Sequence, residues 1–134
     1  MILSSLGRYR DLGLLILRLG LGVMFVIHGG PKLMGGVEMW RQVGGAMGNL
    51  GITAFPVFWG FMAALAEAGG GVCLILGLAM RPACLFMAFT MAVAATHHFK
   101  AGDGLAGASH ALELAIVFAA LVLIGPGRFS LDRD

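Results

Sequence analysis

The sequence predicts an all-α protein, a polytopic membrane domain built as an antiparallel bundle of four transmembrane helices. Three observations carry that reading. Hydrophobic residues make up 59% of the chain and charged residues 12%, where a soluble domain carries about 25% charged residues. The mean hydropathy is +0.92. Apolar segments recur at about 12–28, 56–78, 82–99 and 105–124, each close to the roughly 20 residues a helix needs to cross a bilayer. Residues 1–134 therefore read as a single membrane domain. The formal charge of +2 comes from a few basic residues beside the spans. No Lys/Arg-rich run suggests a nucleic-acid partner.

The first segment resembles a signal peptide at its start, since Arg8 and Arg10 precede LGLLILRLGLGVMFV. Arg18 interrupts the apolar core, however, and no small-x-small cleavage site follows, so the segment is expected to stay as a helix. Arg18 has two readings. Its stem can snorkel to the interface, or it can turn inward to pair with a buried carboxylate such as Glu67. Gly22, one turn on, leaves room for a neighbour and tips the balance inward. The sequence HGGPK then ends the helix, because glycine and proline are poor helix formers. That leaves His28 and Lys32 at the external face.

The long loop, about 33–55, has two parts. Val37 to Val43 can form a short interfacial helix with Met39, Trp40 and Val43 on its apolar side. GGAMGNLG, residues 44–51, is flexible by composition. Trp40, Phe55, Phe58 and Trp59 form an external aromatic belt. The loop is either a lid over the bundle mouth or a plain connector.

The second segment, 56–78, organises the chain. Its 23 residues span about 34 Å as a helix. Glu67, its only charge, sits at the midpoint, where a carboxylate costs roughly 3 kcal/mol on insertion scales. Residues three and four away share its face: Ala63, Ala64, Gly70 and Gly71, with Gly60 further back. Small residues there let another helix approach, while Phe61, Met62, Leu65, Val72 and Leu76 lie elsewhere. Glu67 is therefore expected inside the bundle.

Ala79–Met80–Arg81–Pro82 turns tightly into the third span, and Cys73 and Cys84 flank that turn as small core residues. The third span ends at Thr96–His97–His98–Phe99–Lys100. Adjacent histidines point about 100° apart, so one of the two is expected to look inward. A Gly-rich turn leads into the fourth span, where His110 and Glu113 share a face and Glu113 is the second expected buried carboxylate. Gly125 and Pro126 stop this helix. Five basic residues (Arg8, Arg10, Arg81, Arg128, Arg133) flank one side and three (Lys32, Arg41, Lys100) the other, which favours both termini in the cytoplasm.

These segments, RLGLGVMFVIHGGPKL, ALAEAGGGVCLILGL, a third span ending at histidine and a terminal GPGRFSLD, resemble the DoxX family of small four-helix membrane proteins. The resemblance covers nearly the whole chain. It implies an inner-membrane bundle with Arg18, Glu67 and Glu113 at family-typical polar positions, Lys32 after the first helix, and Gly125, Gly127, Arg128 and Asp132 in the closing motif. Some relatives are subunits of quinone-linked oxidoreductases of sulfur compounds, and others belong to membrane complexes that handle thiols and oxidative stress.

The expected function follows from both readings: a membrane subunit of an oxidoreductase system with a quinone pocket, working with redox-partner proteins and not active alone. Glu67 and Glu113 would handle protons or orient the ligand, Arg18 would be their counter-charge, and His28, Lys32, His97 and His110 would line the mouth. Two alternatives stand beside it. Four histidines and Glu113 are the right ligand types for zinc or copper, although no metal motif is present and no metal is assigned. A scaffold, an assembly subunit or a small-molecule transporter fits as well, since the 22 glycines suit close packing within a bundle, in a homo-oligomer or in a hetero-complex.

Overall fold

A computed structural model describes residues 1–133. Five α-helices follow an opening 3₁₀ turn: α1 (Arg10–Met34), α2 (Gly36–Gly44), α3 (Pro56–Leu76), α4 (Met80–Lys100) and α5 (Gly104–Ile124). Four of them, α1, α3, α4 and α5, are long and apolar enough to cross a membrane. The protein is an all-helical, membrane-spanning bundle with no strand among the described residues.

Glycine decides how the helices pair. A methyl group on Gly22 of α1 would stand 2.7 Å from the Gly71 carbonyl of α3, and one on Gly29 would stand 2.7 Å from Glu67 Cβ. The two backbones are therefore nearly in contact, as small residues at a helix crossing permit. The other tight pair is α4 with α5. Between the pairs lies a core of Phe25, Leu74, Met80, Cys84, Met87, Phe118 and Leu121. Phe25 of α1 meets Phe118 of α5 edge-on at 5.1 Å, so long side chains bridge two helices whose backbones stay apart.

The first helix differs from expectation. It runs through Gly29, Gly30 and Pro31 to Met34 instead of ending at HGGPK. Gly29 is a packing residue, pressed against Glu67 and Ala68, and tertiary contact holds the helix over the proline. The break falls at Gly35–Gly36, where Gly36 takes φ +82°, a conformation open to glycine.

The expected interfacial helix forms as α2, but it packs along α3 instead of lying apart on a membrane surface. Gly60 meets the Trp40 backbone, and Gly44 meets Pro56 and Gly60. Since Gly29 is level with the midpoint of α3, α1 lines one half of α3 and α2 packs against the other, beside Pro56 and Gly60. GGAMGNLG is likewise ordered, as a 3₁₀ helix over Gly45–Leu50 with Met47 buried.

Arg18 is 1% exposed and joins the chain ends. Its guanidinium donates to the carbonyls of Leu74 (3.0 Å), Ile75 (3.3 Å), Pro126 (3.2 Å) and Phe129 (2.6 Å). Two of these are end-of-helix carbonyls of α3, which lack partners within the helix. The closing segment continues the lock. Leu131 N–H donates to Leu76 O and Asp132 N–H to Gly77 O. The Asp132 carboxylate accepts from the Ala79 and Met80 N–H groups at 2.8 and 2.9 Å, at the start of α4. The expected pairing of Arg18 with Glu67 is thus corrected. Arg18 serves carbonyls at one end of the bundle, all of them backbone oxygens.

Candidate functional site

Glu67 is held in place by α3 packing on α1. Gly70 and Gly71 on its face admit Met87 and the α1 backbone, and the Glu67 residue is 5% exposed. Its partner is Lys32, whose Nζ donates to Oε1 at 3.2 Å and to Oε2 at 3.1 Å. Lys32 reaches it because α1 continues past Gly29. The sequence reading placed this lysine at the external face, whereas the structure sets it against the middle of α3. The Lys32 carbonyl, near the broken helix end, accepts the Trp40 indole N–H at 3.0 Å. One residue is thereby tied at both its ends, by Glu67 through the side chain and by α2 through the backbone.

This ion pair borders a groove of about 490 Å³ between α3 and α4, with the 3₁₀ segment after α2 over one end. Its wall is apolar: Met47, Met62, Phe86, Phe89 and Val93 contribute, with Cys73 and Thr90 among the few polar side chains. Such a volume, largely apolar with a small number of polar groups, matches the usual form of a small-molecule site. Lys32 keeps 38% of its side chain exposed while Glu67 keeps 6%. The ammonium can therefore donate to a carbonyl or phosphate oxygen without giving up Glu67. The carboxylate is an acceptor for a hydroxyl that enters from the groove.

The other expected site residues lie elsewhere. Glu113 is exposed on α5, and no hydrogen bond or ion pair reaches it among the described residues. Its expectation as a second buried carboxylate is corrected: three residues of helical spacing placed it with His110 on one face, but that face is not the one α5 turns to the core through Ala108, Ala111, Phe118 and Leu121. His110 is exposed beside it, and His28 is exposed on α1 with its ring edge-on to Phe25 at 6.4 Å. His97 takes the Asn49 side chain at 3.2 Å, and His98 pairs with Asp103 at 2.8 Å. Neither histidine borders the groove. Among the described residues no three His, Cys, Asp or Glu side chains gather to hold a metal ion.

Several residues in and around the site escaped the sequence reading. Trp40 was assigned to an aromatic belt, and Met47 to a flexible stretch. Phe86 and Phe89 carried no signal, because a span with apolar residues on every side does not say which side faces a cavity.

Comparison with known proteins agrees with this architecture. The DoxX family model matches residues 13–100. Inner membrane protein YphA of Escherichia coli K12 is 30% identical over 94% of this chain and 96% of its own length. Inner membrane protein YqjF of the same organism is 30% identical over 94% of each chain. An uncharacterized protein of Haemophilus influenzae is 30% identical over 98% of this chain and 96% of its own. No solved structure matches significantly. With its spans, its buried glutamate helix and this match along most of its length, the chain belongs to the DoxX family of membrane proteins.

Proposed function

We propose that the protein is a membrane subunit of an oxidoreductase system and binds a quinone in the groove between α3 and α4. The supporting observation is the Lys32–Glu67 pair bordering an apolar groove of about 490 Å³. A quinone combines an apolar body with two carbonyl oxygens, and the residues present fit that chemistry. Phe86, Phe89, Met62 and Val93 offer an apolar wall, Lys32 would donate to a carbonyl oxygen of the oxidised form, and the Glu67 carboxylate would accept the hydroxyl proton of the reduced form. Quinone would supply the electron-carrying chemistry; the chain would supply binding, orientation and a proton acceptor. Arg18 takes no part beyond holding the bundle end, and His28, His97, His110 and Glu113 lie outside the groove. The redox partner is a further protein.

In this reading both termini face the cytoplasm of a bacterial or archaeal cell. Moving Lys32 from the external surface to the Glu67 level leaves Arg41 and Lys100 opposite the five arginines of the other side, which strengthens the positive-inside argument.

The test is organic extraction and mass analysis of protein purified in mild detergent, alongside Lys32→Met. Co-purifying quinone that falls at least several-fold in the variant is the expected result. Protein that carries no quinone and takes up none when it is added overturns the assignment. A second reading has its own support: Leu65, Phe86 and Phe89 are exposed beside the groove, facing where acyl chains run. The same extraction would then return a phospholipid in place of quinone, and the role would be non-enzymatic.

A further inference from the structure

Glu113 is the tenth residue of the 21 in α5, so its carboxylate lies near mid-membrane. It is exposed, and among the described residues it has neither hydrogen bond nor ion pair. An ionisable group facing acyl chains at that depth is costly and is normally met by a polar partner. His28 on α1 poses the same problem. It is exposed, it precedes Gly29, which is level with Glu67 at the middle of α3, and its one contact of note is the edge of Phe25.

The two residues stand at similar heights. The Phe25–Phe118 ring pair aligns α1 with α5. From there His28 lies about 4.5 Å and Glu113 about 7.5 Å toward the same end of the bundle, by the rise per residue of antiparallel helices. Side chains span the remaining difference of about 3 Å.

We infer that the outward sides of α1 and α5, bridged by the Phe25–Phe118 ring pair, together make a self-association surface, on which His28 of one protomer pairs with Glu113 of its partner. Two copies in one membrane share an orientation, so a two-fold axis along the bilayer normal preserves every height. It brings each His28 opposite the other Glu113 and makes two identical pairs. An imidazole N–H is a suitable donor to a carboxylate. Leu112 and Ile116 on α5, with Ile27 and Met24 on α1, are exposed around these residues and supply the apolar border. The groove between α3 and α4 is left open, so this surface stands independently of the quinone reading.

The test is single-molecule photobleaching of chains labelled at the N-terminus, counted in phosphatidylethanolamine/phosphatidylglycerol vesicles over a series of protein-to-lipid ratios. Wild type is expected to show two bleaching steps at densities where Glu113→Leu and His28→Leu show one. Each variant should shift the monomer–dimer midpoint by about tenfold, the range that interhelical polar contacts supply when two are lost together. The exchanged double variant His28→Glu with Glu113→His should recover dimers, a result that misfolding of a single variant cannot imitate. Wild type that bleaches in one step at every density overturns the inference. So does Glu113→Leu dimerising like wild type, or the exchanged variant failing to recover.

Discussion

Lys32 and Glu67 show what a single buried charge requires. Removing the carboxylate strands an ammonium beside an apolar groove, whereas an amide keeps a hydrogen-bond acceptor. Glu67→Leu is expected to lower stability by about 1–3 kcal/mol, less than a fully buried pair because Lys32 remains partly solvated. Glu67→Gln should cost less, and Lys32→Met with Glu67→Leu should recover most of the loss, since an apolar pair replaces a buried ion pair at little cost. Thermal unfolding in detergent checks all three, and equal melting of Glu67→Gln and Glu67→Leu would mean that the carboxylate is not engaged. Arg18 is less replaceable still. Its planar fork serves four carbonyls from two segments, a span that a lysine ammonium does not reproduce. Arg18→Lys is expected to cost about 2–3 kcal/mol by leaving buried carbonyls unpaired, read from the same melts.

At the scale of elements, contact between helices overrides local propensity. HGGPK reads as a helix end, yet Gly29 lies where α1 meets α3 and the helix continues across Pro31. Gly29→Ala should therefore destabilise, although alanine is the better helix former. The added methyl meets the Ala68 backbone, and overpacking of this kind costs about 1–3 kcal/mol. Ala79 presents the opposite case. It holds φ +49° at the turn between α3 and α4, strained for any residue with a Cβ. Ala79→Gly should raise stability by about 0.5–1 kcal/mol, strain relief outweighing the added freedom of the unfolded chain. A lower melting temperature would show that the turn is not strained.

For the whole molecule, the closing segment is a clasp. Pro126 and Phe129 accept from Arg18 of α1, Asp132 caps the start of α4, and the Leu131 and Asp132 amides bond the end of α3. The segment thus joins three of the four spans at one end. Deleting residues 126–134 is expected to lower the melting temperature more than Asp132→Ala, whose lost cap is worth about 1 kcal/mol. Similar melting of the full and shortened chains would rule out the clasp. The opposite end is held differently, by α2 packed against Pro56 and Gly60 at the start of α3.

The sequence by itself determined the number of spans, the approximate limits of the last three and the inward turn of Glu67. Those follow from length, hydropathy and small residues at helical spacing, which are local properties. Only the tertiary structure decided which basic residue meets Glu67. Arg18 and Lys32 were both available, and the choice rests on the height at which α1 crosses α3, set by Gly22 and Gly29. Only the structure turned Glu113 outward as well. On a helix that is apolar on every side, rotation leaves no trace in the pattern, and it is set by what the neighbouring helices exclude.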